Sequence, residues 1–414
     1  LPQVKEDILP QPLPLARARG RTRKTRVCII GGGGTGAALA YDLSLRGLDV
    51  VLLERGELTS GTTGRHHGQL HSGARYAWFD RAIAQECYEE TLILRRIVPE
   101  AIEYNGGFFL ALTEEEAGLV PDFLAACAAA GIPSREIPFS RALELEPGIN
   151  PRALRSVWVP DGSFDAFRLP LSFFAAARAL GAVIRPWCEV LGLEISGKRV
   201  VAARILDRGT ELAREERIEA DYFVSATGAW AGELAALAGL DVPITPAPGT
   251  MVAVRGRFSD RVISRLRHPA DGDIVVPQRG LSIIGSTQRV TDNPDSLLPP
   301  REEIQTLLAE GAALVPAFAG ARVHAAWAAA RPLAGRAEGD EGRSISRDFS
   351  VLDHEARDGL AGLATIIGGK ATVLRAMAEK TADALCARLG IQAPCETADF
   401  ALPSWRDYYT GRRP

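Results

Sequence analysis

The chain has no Cys-x-x-Cys pair: its six cysteines, Cys28, Cys87, Cys127, Cys188, Cys386 and Cys395, are scattered along 414 residues. Zinc and iron–sulfur ligation need closely and regularly spaced thiolates, and a disulfide framework belongs to short chains with clustered cysteines, so this pattern points to neither. Scattered thiols read as buried or incidental residues of a reducing, cytoplasmic compartment. No apolar run reaches eighteen residues, because Gly, Arg or Asp breaks each hydrophobic stretch, and no candidate for a membrane-spanning helix is found. A dominant charge is lacking too: 48 Lys and Arg stand against 51 Asp and Glu, for a formal net charge of −3, which gives nucleic acid no electrostatic footing. What remains is an ordinary globular composition, 46% hydrophobic and 24% charged, in a chain long enough for two intertwined domains.

Residues 1–24 are a different material. Prolines at 2, 10, 12 and 14 precede the basic run ArgAlaArgGlyArgThrArgLysThrArg at 17–26. Such a segment buries too little apolar surface to fold alone and is expected to be a disordered basic, proline-rich arm. It reads either as a solvated tail or as an arm toward a partner subunit or anionic lipid, where each Lys or Arg gains about 1 kcal/mol. The apolar segment that follows carries a glycine turn rather than a cleavage site, so it is not read as a secretory signal.

From Arg26 the order is strand, glycine turn, helix, strand: ArgValCysIleIle, GlyGlyGlyGlyThrGly, AlaAlaLeuAlaTyrAspLeuSerLeuArgGly, AspValValLeuLeuGlu. Both strand candidates are continuous apolar runs, as buried parallel strands are. The spacing G-x-G-x-x-G falls on Gly31, Gly33 and Gly36. The first glycine permits the tight turn, the second lets backbone approach a pyrophosphate, and the third lets the helix pack closely on the strand. The helix start, with Gly34, offers free N–H groups and positive dipole to the phosphates. Glu54 ends the second strand, where its carboxylate accepts from an adenosine ribose and repels a 2′-phosphate, which disfavours NADP. A second close approach is expected at AlaThrGly, with Thr227 and Gly228, since small residues leave room for a dinucleotide.

Periodicity predicts helices near 79–98, 114–130, 167–180, 301–314 and 371–389, the last closed by Gly390. Residues 105–112 read as a strand entering a second sheet, and 247–290 and 322–352 as mostly β. The expected division is a dinucleotide domain at 25–101, 153–240 and 355–395, a substrate domain at 102–152 and 241–354, and a tail at 396–414. The loop 59–76 is rich in glycine and hydroxyls and carries three histidines.

Five stretches carry a resemblance: ArgHisHisGlyGlnLeuHisSerGlyAlaArgTyr (65–76), AspIleValValPro (273–277), the ArgProLeu to SerArgAsp block (331–348), GlyGlyLys (368–370) and CysGluThrAlaAspPheAlaLeuPro (395–403). Over about 26–403 the chain resembles the D-amino-acid-oxidase-like flavoproteins and, among them, the catalytic subunits of the anaerobic glycerol-3-phosphate dehydrogenases. The resemblance implies an α/β fold in which a Rossmann-like FAD-binding domain is interleaved with an antiparallel-sheet substrate domain, as in D-amino acid oxidase and glutathione reductase. It implies bound FAD, with Gly31, Gly33, Gly34, Gly36, Glu54 and Arg55 on the ADP half. Thr59, Ser60, Thr62, Thr63, His67 and Gly68 would lie near the pyrophosphate and flavin, and Gly368, Gly369, Lys370 and Ala371 beside the ring. It implies that Arg75, Tyr76, Arg331, Arg347 and Lys370 bind a small phosphorylated polyol. The reaction implied is oxidation of sn-glycerol 3-phosphate to dihydroxyacetone phosphate, with electrons passed to quinone through partner subunits at the inner face of the membrane.

Two departures stand out. Where the family has an aromatic hydroxyl after its glycine–glycine–lysine stretch, this chain has Leu374. The family's cysteine-rich C-terminal domain has no counterpart before Pro414, so an iron–sulfur relay is expected on another subunit or nowhere.

Oxidising a secondary alcohol with a flavin needs a hydride acceptor, a base and positive charge near the reduced ring. The backbone N–H groups of Gly369 and Lys370, at a helix start, are expected to face the flavin and stabilise that negative charge. His71 is the first candidate base and His67 the second, since imidazole titrates near neutrality, with hydrogen-bonded scaffold as the alternative role for both. Gly64, Gly68 and Gly73 argue against a helical His67–His71 metal pair, and no metal is expected. Arg75, Arg331, Arg347 and Lys370 suit a phosphate dianion better than a carboxylate. A 2-hydroxy acid such as 2-hydroxyglutarate, or an amine or opine, is the alternative substrate, and a flavin-binding subunit without catalysis the alternative role.

Overall fold

The computed structural model describes residues 9–15, 25–268, 270–295, 297–336 and 348–411. The apolar runs form a six-stranded sheet in the order Phe349–Asp353, Leu363–Gly368, Tyr222–Ser225, β1 (Arg26–Ile30), β2 (Asp49–Leu53) and Val183–Arg185. Every neighbouring pair is parallel except the first. The central strands are buried on both faces, which is why their sequences do not alternate. Between β1 and β2 runs α1 (Gly34–Leu45), buried along almost its whole length. Helices Arg168–Ala179 and Leu374–Leu389 cover it, so no polar face is needed.

The second sheet has eight strands in the order Val323–Ala334, Ile244–Arg255, Leu281–Gly285, Ile274–Gln278, Val262–Arg265, Gly107–Ala111, Arg155–Val159 and Arg135–Ile137. Its pairs are antiparallel except Val262–Arg265 with Gly107–Ala111. A three-stranded sheet of Gln69–Leu70, Gly162–Phe164 and Ile102–Glu103 joins the histidine loop to the rest. Site residues therefore come from the carboxyl ends of the parallel strands and from the face of the antiparallel sheet turned toward them.

Three stretches differ from the expected division. Arg155–Val159 pairs with Gly107–Ala111 in the eight-stranded sheet rather than returning to the first one. Phe349–Asp353 closes the edge of the six-stranded sheet against Leu363–Gly368. A short apolar run fits either sheet, and pairing partners far along the chain decide. Within the arm, residues 9–15 are docked: Gln11 N–H donates to the Asp399 carbonyl (2.8 Å) and its carbonyl accepts from Ala401 N–H (2.8 Å). Leu13 and Leu15 pack on the main core, which supplies the apolar burial the arm lacks by itself.

Helix Leu374–Leu389 joins the fold through a buried ion pair. Arg375 Nε donates to both Glu90 carboxylate oxygens (3.1 and 3.0 Å), and Nη1 donates to Glu379 Oε2 (2.6 Å) and Thr397 Oγ1 (2.9 Å). Burial pushes the Glu90 carboxyl above its usual range, against the opposing pull of Arg375. Removing one partner of such a pair strands a buried charge, so Arg375→Met is expected to cost about 3–5 kcal/mol of stability. Urea unfolding will read the loss, and the double variant Glu90→Gln/Arg375→Met should recover much of it.

Among the described residues no helix is long and apolar enough to cross a membrane, and no group of His, Cys, Asp and Glu could hold a metal ion.

Candidate active site

One cavity of about 1200 Å³ runs from the glycine turn to the histidine loop and the basic side chains. At the turn end Gly31 has a left-handed φ of 115°, and its N–H donates to the Leu53 carbonyl (2.8 Å). A Cβ on Gly31 would meet the Ala226 carbonyl, and one on Gly36 would fall on the Gly31 carbonyl oxygen, so both positions are shaped by close backbone approach. Thr63 Oγ1 accepts from Gly34 N–H (2.9 Å) at the start of α1. A Cβ on Gly33 would come within 3.1 Å of that hydroxyl. Small, crowded backbone opening onto a large cavity is what an extended dinucleotide needs, and these residues fit FAD.

Glu54 does more than the sequence indicates. Its Oε2 accepts from Gly32 N–H (2.7 Å) and its Oε1 from Gly56 N–H (2.8 Å), so the carboxylate braces the turn. A carboxylate has about four lone-pair sites, which leaves capacity for a ribose hydroxyl. Arg55 sits at the rim, its guanidinium 4.6 Å from the Trp230 ring centroid. Asp295 Oδ1 accepts from Arg55 Nη2 (2.7 Å) and from Trp230 Nε1 (3.0 Å). Ser60, Thr62, Thr63, Thr227 and Gly228 line the cavity, as do Gly368, Gly369, Lys370 and Ala371.

Three expected cofactor contacts stand one layer back. Gly36 is sealed against Gly31, and Thr59 is buried with its N–H donating to the Gly32 carbonyl (2.9 Å). Gly68 turns, with φ 84°, against Gln278 and the Phe164 carbonyl. These residues shape the walls, and the cavity lining does not include them. The expectation that Gly369 N–H faces the flavin also fails, because it donates to the Asp348 carbonyl (3.1 Å).

At the other end the histidines have distinct chemistry. Gly68 N–H donates to His66 Nδ1 (2.8 Å) and Gln69 N–H to His67 Nδ1 (3.1 Å). A neutral imidazole that accepts at Nδ1 carries its proton on Nε2, so both rings are N–H donors there. His67, expected as the second candidate base, is thus set up to donate rather than to accept. His71 differs: its backbone is clamped, with the carbonyl accepting from Thr91 Oγ1 (2.7 Å) and the N–H donating to Thr372 Oγ1 (3.2 Å). Neither of its ring nitrogens has a partner among the described residues. The ring lies 5.6 Å from the Tyr76 ring, centroid to centroid.

Burial, then the charges of Arg75 and Lys370, lowers the His71 pKa to about 3, and burial lowers that of His66 to about 4. Burial also holds His67 well below its ordinary value, with His71 and His66 adding to the effect. The folded site therefore refuses protons that the unfolded chain accepts below about pH 6.5, so stability falls as pH drops through that value toward 3. Thermal unfolding of the wild type and His71→Asn from pH 7 to pH 5 is expected to show a steeper loss of Tm in the wild type.

The basic residues converge. Arg75, Arg331 and Lys370 line the same cavity as His71 and Tyr76, and the Lys370 ammonium lies 5.3 Å from the Tyr76 ring centroid. Arg331 Nη2 donates to Ser286 Oγ and to the Thr287 carbonyl (3.1 Å). Arg75 Nη2 donates to Asp273 Oδ2 (2.8 Å), while Nη1 is buried with no hydrogen-bond partner among the described residues. Arg347 lies outside the described residues. Leu374, the departure from the family pattern, packs toward the glycine turn, 3.3 Å from where a Cβ on Gly34 would sit.

Sequence reasoning passed over His66, Asp273 and the Trp230–Asp295 contact. His66 and Asp273 each left a signal, within the 65–76 and AspIleValValPro stretches, and the Trp230–Asp295 contact left none.

A family model described as FAD dependent oxidoreductase, DAO, matches residues 26–383. The chain is 42% identical over 377 residues to one of the subunits of the anaerobic glycerol-3-phosphate dehydrogenase of Escherichia coli (strain K12), covering 91% of this chain and 69% of that one. Among solved structures, glycine oxidase from Geobacillus kaustophilus superposes with a TM-score of 0.70 at 23% identity, covering 92% of this chain and 99% of that one. The glycerol-3-phosphate dehydrogenase from Bacillus halodurans complexed with FAD gives 0.69 at 24% identity, covering 92% and 68%. The two structures share the fold.

Proposed function

Because the chain belongs to the FAD dependent oxidoreductase family, we propose that it oxidises sn-glycerol 3-phosphate to dihydroxyacetone phosphate. The observation that carries this reading is the convergence of Arg75, Arg331 and Lys370 with His71 on the cavity that begins at the glycine turn. A phosphate dianion is matched by several cations, whereas a carboxylate needs fewer. The relative from Escherichia coli carries glycerol-3-phosphate dehydrogenase in its name, which agrees with that match. The six-stranded sheet with its glycine turn is read as the FAD-binding part and the eight-stranded sheet as the substrate side.

FAD, when bound, supplies the two-electron acceptor for the hydrogen on C2. The side chains do the rest. Arg75, Arg331 and Lys370 hold the phosphate, which fixes C2 and its hydroxyl within the cavity. His71, neutral at physiological pH, takes the hydroxyl proton on a ring nitrogen. Arg75 and Lys370 oppose that proton in the empty site, and a bound dianion offsets their field and makes His71 a stronger base when substrate is present. His67 donates Nε2–H toward an oxygen of substrate or cofactor. Electrons then leave toward quinone through partner subunits, with the complex peripheral to the membrane.

The test is product formation: with an artificial electron acceptor the purified holoenzyme should convert sn-glycerol 3-phosphate to dihydroxyacetone phosphate stoichiometrically. Turnover of 2-hydroxyglutarate in its place would refute the phosphate reading.

A further inference from the structure

We infer that Asp273 is a positioning residue for anion recognition: it holds the Arg75 guanidinium in register at the cavity wall, where Arg75 meets the substrate phosphate. The inference rests on the function proposed above and names one residue that makes it work.

Asp273 is fully buried, and Arg75 nearly so at 13% exposure. The Asp273 carboxylate is enclosed by donors, with Oδ2 accepting from Arg75 Nη2 (2.8 Å) and Ala270 N–H and Oδ1 accepting from Arg267 Nε (2.6 Å). Its carbonyl accepts from Arg265 N–H (2.8 Å), so its backbone is pinned as well. Behind Asp273 the charges alternate. Arg267 Nη2 reaches Glu310 Oε2 (3.2 Å), Arg265 Nη1 donates to the same oxygen (2.9 Å), and Arg265 Nε donates to Glu116 Oε1 (2.7 Å). Three arginines and three acids thus form a line that ends at the cavity on Arg75.

A buried carboxylate is tolerated when paired and hydrogen-bonded, and here every partner but Arg75 belongs to residues 116–310, on the side of the eight-stranded sheet. Arg75 comes from the histidine loop, 198 residues before Asp273. Asp273 therefore ties the loop's cation to the opposite wall and fixes one edge of the guanidinium. Arg75 lines the cavity and keeps 13% of its side chain exposed, so the guanidinium held in this way stands at the wall of the phosphate site. Because the charge of Arg75 is already balanced within the line, Asp273 contributes direction rather than added charge.

The experiment uses the holoenzyme and inorganic phosphate as probe, with binding read from perturbation of the flavin spectrum so that turnover is not needed. Asp273→Asn is expected to weaken phosphate binding and to raise the KM for sn-glycerol 3-phosphate, each on the order of tenfold, with kcat within about twofold. Arg267→Gln removes one of the other donors to Asp273 and leaves its bonds to Arg75 and Ala270 in place, so it should lower Tm while leaving phosphate affinity and KM at wild-type values. Asp273→Glu keeps the charge but displaces it by a methylene, so it should fold even where Asp273→Asn does not and still weaken phosphate binding. Wild-type phosphate affinity in Asp273→Glu or Asp273→Asn would overturn the inference, as would equal weakening in Arg267→Gln. Phosphate binding that follows this pattern in a protein inert toward sn-glycerol 3-phosphate would sink the proposed substrate and leave Asp273 in its role.

Discussion

His71→Asn is expected to lower kcat by about 10²- to 10⁴-fold, the range for loss of a positioned general base. FAD content and KM should stay near wild type, because the ring of His71 has no hydrogen-bond partner among the described residues and its backbone is held through main-chain contacts to Thr91 and Thr372. Activity of the variant should recover in part at high pH, where hydroxide replaces the base. His67→Asn is the contrast. Its ring is set to donate at Nε2, so its loss removes one hydrogen bond, and kcat is expected to fall only about tenfold. Rapid-reaction reduction of the flavin measures both. Equal losses in the two variants would mean that the assignment of roles from the Nδ1 contacts is wrong.

Gly36→Ala should give protein that carries little or no FAD. The added Cβ would fall on the Gly31 carbonyl oxygen, and neither group can move alone: Gly31 is held by its bond to the Leu53 carbonyl, and α1 is wedged beneath two helices. Overpacking of this kind costs about 1–3 kcal/mol or more, and here the strain falls on the turn itself. The ratio of flavin absorbance at 450 nm to protein absorbance at 280 nm, with Tm alongside, reads the outcome. Gly118→Ala is the control, since a Cβ there meets nothing within 4 Å, and it should retain FAD and Tm. A yellow, stable Gly36→Ala protein would mean that the close packing of α1 on the turn does not govern cofactor binding.

The parts legible in the sequence are those where local chemistry repeats or is exclusive. Apolar runs around six closely spaced residues from Gly31 to Gly36 could be little else than strand, turn and helix. Gly390, left-handed with φ 68°, ends helix Leu374–Leu389 where expected. The convergence of Arg75, Arg331 and Lys370 was legible only through resemblance, since no periodicity links residues so far apart. What stayed hidden is set by tertiary pairing. Arg75 and Asp273 each stand in a stretch that carries the resemblance, but nothing in either stretch says that the two bond to each other. The roles of His67 and His71 separate because one accepts a turn N–H at Nδ1 and the other does not, a matter of backbone direction within three residues. Arg155–Val159 enters the second sheet because its neighbours in space are there, which its own composition does not say.

The most direct test is anaerobic titration of the yellow holoenzyme with sn-glycerol 3-phosphate, following flavin absorbance near 450 nm, with 2-hydroxyglutarate and an amino acid as controls. Bleaching by the phosphate ester alone is expected, weakened in Arg75→Ala and Arg331→Ala. An unchanged spectrum with the phosphate ester, or bleaching by the hydroxy acid or the amino acid instead, would contradict it.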